Sequence, residues 1–241
     1  MLTLACLFTL SASAWDVKVN SKGEPLRWGQ KSVEFWVNPK GKHGLSTEEV
    51  EVAVEQAVAQ WNDVYPDEVQ LVYRGLSDAP RKVDYTDDLN IIYFEDVWAE
   101  DLDSSLLALT WVWSVDGGEI TSFDIQINAE DHRWGVGATD GSNDLSNMLT
   151  HELGHALGLG HSEVHLATMS PTTFPGETEK RSIETDDRDA IAWLYSQALP
   201  DSLSSGVGGC IPASSSELAL MVPGIFMWGV MRRRSRSDLL S

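Results

Sequence analysis

The residues best suited to chemistry lie in one run, His151-Glu-Leu-Gly-His155-Ala-Leu-Gly158-Leu-Gly-His161-Ser162. His151 and His155 are four apart, so on a helix they project from one face, a turn from each other. Two imidazoles so placed can share a Zn²⁺ at about 2.0–2.1 Å. Glu152, beside the first of them, can reach a water on the metal without being a ligand. Gly158 can take a positive φ and end the helix, which lets the chain turn and bring His161 in as a third ligand. Three protein ligands with an open fourth position mark a catalytic zinc site rather than a structural one. From this chain's own frequencies of His, Glu and Gly, the full pattern arises by chance in roughly 2 of 100,000 such chains. Coincidence is a poor explanation. Because the ligands must be unprotonated, metal affinity is expected to fall as pH drops through the histidine range near 6.

The elements that must carry this run are legible around it. Val33-Glu-Phe-Trp-Val37 alternates and stops at Asn38-Pro39, so it reads as a strand. Ser46-Thr-Glu-Glu49 is a capping box, and Val50, Val54, Ala57, Val58 and Trp61 recur behind it at helical spacing. That predicts an amphipathic helix to about Val64. Val69 to Tyr73, Leu89 to Phe94, Leu106 to Trp113 and Ile120 to Asn128 read as strands, the last two separated by the turn Asp116-Gly-Gly118. The order predicts an α+β fold, a mixed twisted sheet with helices packed on it. The tryptophans and aliphatics of these elements read as core. Residues 15–197 have the length of a single domain.

Composition narrows the partners. The 241 residues include 37 acidic and 17 basic side chains, a net charge of −20, and Arg232, Arg233, Arg234 and Arg236 all fall in the last ten residues. The body is therefore more acidic still; it repels phosphate, excludes a nucleic-acid partner and suits cationic partners or metal ions. Ten tryptophans and regular apolar periodicity exclude disorder for most of the chain. With only Cys6 and Cys210, neither a disulfide scaffold nor a cysteine zinc site is available.

The extended histidine motif resembles that of the metzincin zinc peptidases, and within them the matrixins, which include the matrix metalloproteinases and bacterial relatives. Ser162 directly after the third histidine is similar to the matrixin version. Ala167-Thr-Met169-Ser-Pro171 looks like the Met-turn, with Thr168 in place of the more usual leucine. Trp28 to Val37 and the Trp61 helix look like the opening of that domain, and residues 186–195 like its closing helix. The resemblance implies a zinc endopeptidase of metzincin-like fold, a monomer acting on protein or peptide substrates. His151, His155 and His161 would hold one catalytic zinc, and Glu152 would assist attack of a zinc-bound water. Met169 would lie beneath the metal. Pro171 to Phe174 would form a wall of the pocket for the residue after the cut, and Leu106 to Trp111 an edge strand along which substrate lies extended.

The chain departs from the family pattern too. Where animal matrixins carry histidines for a second, structural zinc, it has Glu95, Asp96, Leu109 and Ser122, and His43, His132 and His165 are scattered. One zinc is therefore expected, and His165 reads as a loop residue. Asp124, Glu130 and Asp131 are candidates for a Ca²⁺ site. No cysteine-switch segment is expected ahead of the domain. An alternative reading is a surface binding protein that retains the metzincin fold and cleaves little.

Both ends read as addresses rather than fold. Residues 1–14 combine an apolar run with Ser11-Ala-Ser-Ala14, an A-x-A cleavage pattern, although no Lys or Arg precedes the run. They predict a signal peptide and an exported chain that begins near Trp15. Residues 198–216 are a Ser/Gly/Pro-rich linker. Residues 217–241 join an apolar stretch, Leu218 to Met231, to the arginine cluster, as a hydrophobic anchor or sorting segment. With Cys210 and its glycines, this tail resembles the tripartite C-terminal sorting signals of Gram-negative bacteria, including the myxobacterial type. The expected location is extracellular or the outer cell surface, with membrane anchoring through the tail.

Overall fold

In the computed structural model, residues 13–197 are described apart from 66, 88 and 138–140. Cys6, Cys210, most of the expected signal peptide, the linker and the C-terminal segment lie outside these residues. The strands are β1 (Trp15–Val17), β2 (Arg27–Trp28), β3 (Ser32–Asn38), β4 (Gln70–Leu76), β5 (Ile91–Glu95), β6 (Ala108–Ser114), β7 (Glu119–Asn128), β8 (Trp134–Gly135), β9 (Asn143–Asp144) and β10 (Leu159–Ser162). The helices are α1 (Thr47–Val64), α2 (Leu145–Ala156) and α3 (Thr185–Ser196).

Period-two alternation in β3 buries Val33, Phe35 and Val37. The expected capping box starts α1: Glu49 N donates to Ser46 Oγ at 3.1 Å, and Ser46 N donates to Glu49 Oε2 at 2.7 Å. The helix then turns Val50, Ala53, Val54, Ala57 and Trp61 into the core. The main sheet runs β2-β7-β5-β3-β4 with parallel neighbours, and β6 lies antiparallel on β7. It is the mixed sheet that the sequence predicts, in an α+β fold. Helices α1 and α2 pack against each other, α1 also against β4 and α2 against β6. A second, small sheet pairs β1 with β10, and α3 packs on both. No described helix is long and apolar enough to cross a membrane.

Strand boundaries shift where side chains replace backbone pairing. β5 begins at Ile91 rather than Leu89 because Asn90 bridges its neighbours, accepting from Phe123 N and donating to Glu34 O, both at 2.7 Å. β6 begins at Ala108 rather than Leu106, and Asn128 Nδ2 donates to Leu106 O at 3.1 Å just before it. β4 continues three residues past Tyr73 because it keeps pairing with β3 as far as Leu76. The short strands β1, β2, β8, β9 and β10 had no periodicity to announce them.

One buried carboxyl makes stability pH-dependent. Asp124, inside the sheet on β7, accepts Ile91 N at 3.1 Å and Asp84 N at 3.0 Å. Burial, the largest influence, pushes it up to about 7, against those two N–H donors. A folded pKa above the unfolded value means that its stabilising contribution is complete below about pH 4. It is lost as pH rises through about 7. Thermal melts between about pH 5 and 8 are expected to show this decline, and Asp124→Asn to flatten it. Parallel slopes in both proteins would show that another group is responsible.

Candidate metal centre

The histidine helix is anchored at both ends. Asp144 caps its start, accepting Asn147 N at 2.8 Å, while Arg181 pairs with both of its oxygens. At the other end Trp28 Nε1 donates to Ala156 O at 2.9 Å and the Tyr195 hydroxyl to Leu157 O at 3.0 Å. The last carbonyls of a helix lack intrahelical partners, so these bonds satisfy groups that burial would penalise. Trp61 Nε1 reaches Thr150 O at 2.7 Å. Trp61 and Trp113 are core, as the sequence predicts, whereas Trp36 and Trp111 of the predicted strands are only partly buried, and Trp28 and Trp61 also hold α2.

Gly158 makes the turn to β10 at φ +102°, and a Cβ there would lie 2.1 Å from Leu26 O. Conformation and space both demand glycine. Gly158→Ala is therefore expected to cost about 2–4 kcal/mol. A denaturation midpoint equal to the parent's, with the same m, would contradict this account.

Past that turn the three histidines converge. Their ligand nitrogens lie within 4.8 Å of one another, and the Nε2 atoms of His155 and His161 are 3.2 Å apart. His151 Nδ1 bonds Thr168 O at 2.7 Å and His155 Nδ1 bonds Leu159 O at 2.9 Å. A carbonyl can only accept, so those ring protons sit on Nδ1 and the Nε2 lone pairs face inward. Three neutral imidazoles suit zinc, and backbone carbonyls that orient them are the usual outer support. The residues fit the metal that their spacing predicts.

Burial is the main cause that lowers all three histidines, His151 to about 3, His161 to about 4 and His155 well below its usual value. Nearby positive charge adds to it, chiefly Lys180 for His151 and Lys18 for the other two. Loss of metal to protons, read from the sequence as falling near pH 6, is therefore expected at lower pH.

Glu152, next to His151 on α2, is 7% exposed, and its Oε2 accepts the Thr110 hydroxyl at 2.5 Å. Burial pushes its carboxyl up, while the Thr110 bond and the charges of Lys18 and Lys180 work the other way. Met169 is buried against α2, its sulfur 2.4 Å from where a Cβ on Gly154 would stand. Asp187 of α3 holds that turn by accepting Thr168 N at 2.7 Å and Met169 N at 2.9 Å. The same turn supplies the Thr168 carbonyl that orients His151. Thr168, the departure from the family pattern, is tied through its hydroxyl to Ser182 O at 2.7 Å. Pro171 is exposed, and the buried Lys180 fixes both its flanks, donating Nζ to Ser170 O at 2.6 Å and to Thr172 O at 2.7 Å.

His165 is exposed and outside the cluster, as expected of a loop residue. The calcium reading is not supported by the geometry. Asp124 is buried in the sheet with both oxygens on backbone N–H groups, Glu130 accepts Trp98 N, and Asp131 accepts Asn128 Nδ2 at 3.0 Å. Among the described residues, the potential ligands brought together as a group of three are His151, His155 and His161. Thr110, Asp187 and Lys180 went unpredicted. Their roles depend on contacts between distant segments, and only Asp187, at the start of a predicted helix, carried any local signal.

A family model described as matrixin matches residues 27–196. No curated protein matches the chain.

Proposed function

Since the chain belongs to the matrixin family, whose members are zinc-dependent endopeptidases, we propose that it is an exported peptidase that cuts peptide bonds at the His151–His155–His161 site. The observation that carries this reading is the convergence of the three ligand nitrogens, with the buried Glu152 next to His151 on the same helix. Zinc held there supplies Lewis acidity, lowering the pKa of a water and polarising the scissile carbonyl.

The chain's own residues do the rest. β6 pairs only with β7 among the described strands, so its other edge can take an extended peptide as an added strand. Pro171 to Phe174, stiffened by Lys180, form a wall beside the first residue after the cut. Glu152 accepts a proton as water adds to the carbonyl carbon, then gives it to the amine nitrogen as the C–N bond breaks. Its raised pKa suits both halves of that transfer, because a carboxyl closer to neutrality returns a proton more readily. Export rests on the signal-like residues 1–14, and retention at the cell surface on residues 217–241.

The test is cleavage of a peptide library by the zinc-loaded protein, with and without a chelator. Cleavage that disappears on chelation and returns with zinc is expected. No cleavage by fully loaded protein would favour a binding protein, and cleavage indifferent to the chelator would place the activity elsewhere.

A further inference from the structure

Thr110 occupies a position that packing alone would fill otherwise. Side chains alternate along β6, so Thr110 shares a face with Ala108 and Val112, both members of the hydrophobic core. That strand packs on α2. Valine has the same shape, the same preference for strands and no polar atom to bury. Thr110 is itself half-buried, and its hydroxyl costs free energy, to the extent that it is shielded from water, unless it is bonded. Here its one proton faces a single residue, with Glu152 Oε2 at 2.5 Å and the more distant Glu152 O at 3.3 Å. The shorter contact is in the range of charge-assisted O–H···O⁻ bonds.

We propose that Thr110 is a positioning residue for proton transfer, its hydroxyl holding Glu152 Oε2 so that Oε1 is presented to the reacting water and the departing amine. The inference rests on the proposed peptidase reading, in which Glu152 moves the proton. In the balanced step, a water O–H bond breaks as its oxygen bonds the carbonyl carbon, and the proton goes to Oε1. It then passes to nitrogen as the C–N bond breaks, leaving a carboxyl and an amine. Carboxyl torsions are soft, so an untethered Glu152 spends time in orientations that cannot make this transfer. Because Thr110 also belongs to the edge strand that would pair with substrate, one residue links the register of the bound peptide to the direction of the base.

The test compares Thr110→Val, which keeps shape and removes the hydroxyl, with Thr110→Ser, which keeps the hydroxyl. In zinc-loaded protein, T110V is expected to lower kcat about ten- to a hundredfold, the effect of losing a hydrogen bond to a charged group. KM and zinc content stay at parent values, and T110S recovers most of the rate. A second readout needs no turnover: the carbon-13 carboxyl resonance of Glu152, assigned by its loss in E152Q, shifts in T110V and returns in T110S. Unchanged kcat in T110V, a change in KM alone, or a loss of zinc would each overturn the proposal. If T110V fails to fold, T110A against T110S makes the same comparison. The two failures are separable. An E152Q protein that cleaves at the parent rate defeats the reading of Glu152 itself, whereas an inactive E152Q beside a fully active T110V defeats only the role of Thr110.

Discussion

Glu152→Ala is expected to bind zinc as the parent does and to cleave peptides about 10²- to 10⁴-fold more slowly. The two halves of this expectation have separate causes. Zinc is retained because Glu152 is not in the ligand group; its carboxyl bonds Thr110, while His151 and His155 are oriented by Thr168 O and Leu159 O. None of those supports passes through the Glu152 side chain. The rate falls because, among the described residues, no other carboxylate is grouped with the histidines. Asp187 and Asp144 are buried, but their oxygens are engaged by the Met-turn, Arg181 and the start of α2. The loss should appear in kcat, with KM little changed, since the interaction removed is made in the transition state. Zinc per chain and steady-state kinetics on one good peptide measure both halves. Cleavage at the parent rate by zinc-loaded Glu152→Ala would refute the mechanism, whatever the motif suggests.

The ligands were legible because their geometry is local. The helical period alone places His151 over His155, and a glycine can be recognised as the turn that returns His161. Gly158 makes that turn at a positive φ, as its place in the motif requires. Capping by Ser46 and Glu49 was legible for the same reason, being a contact between residues three apart. The supports were not. Thr110 reaches Glu152 across 42 positions, and Trp28 reaches Ala156 across 128. Such pairs exist only once the register of the sheet and the packing of α2 are settled. Nor did alternation mark Thr110 as special, since a threonine in a half-buried strand is ordinary. The calcium candidates are not drawn into one group among the described residues, for the converse reason. Nearness in sequence of Glu130 and Asp131, and an acidic residue on a strand before them, did not survive the burial of Asp124 between β5 and β6.

His155→Ala should lose metal and activity together, which separates a ligand from a proton carrier. His155 is 5% exposed and supplies one of the three converging nitrogens, so its removal leaves two ligands and an exposed fourth side. Outer-shell changes already cost about 10- to 100-fold in metal affinity, and loss of a direct ligand should exceed that range. Leu159 O also loses its partner, which loosens the strand carrying His161 and weakens the second ligand along with the first. Met169→Leu is the control for disturbance from below. It keeps volume and apolar character, so its cost should stay under about 1.5 kcal/mol, with zinc retained. Zinc titration of metal-free protein, read by competition with a chromophoric chelator, measures each variant. Excess zinc should restore part of the activity of His155→Ala and none of that of Glu152→Ala. Parent-like zinc affinity in His155→Ala would remove this residue from the metal site, and the helical spacing that first suggested the site would then be a coincidence after all.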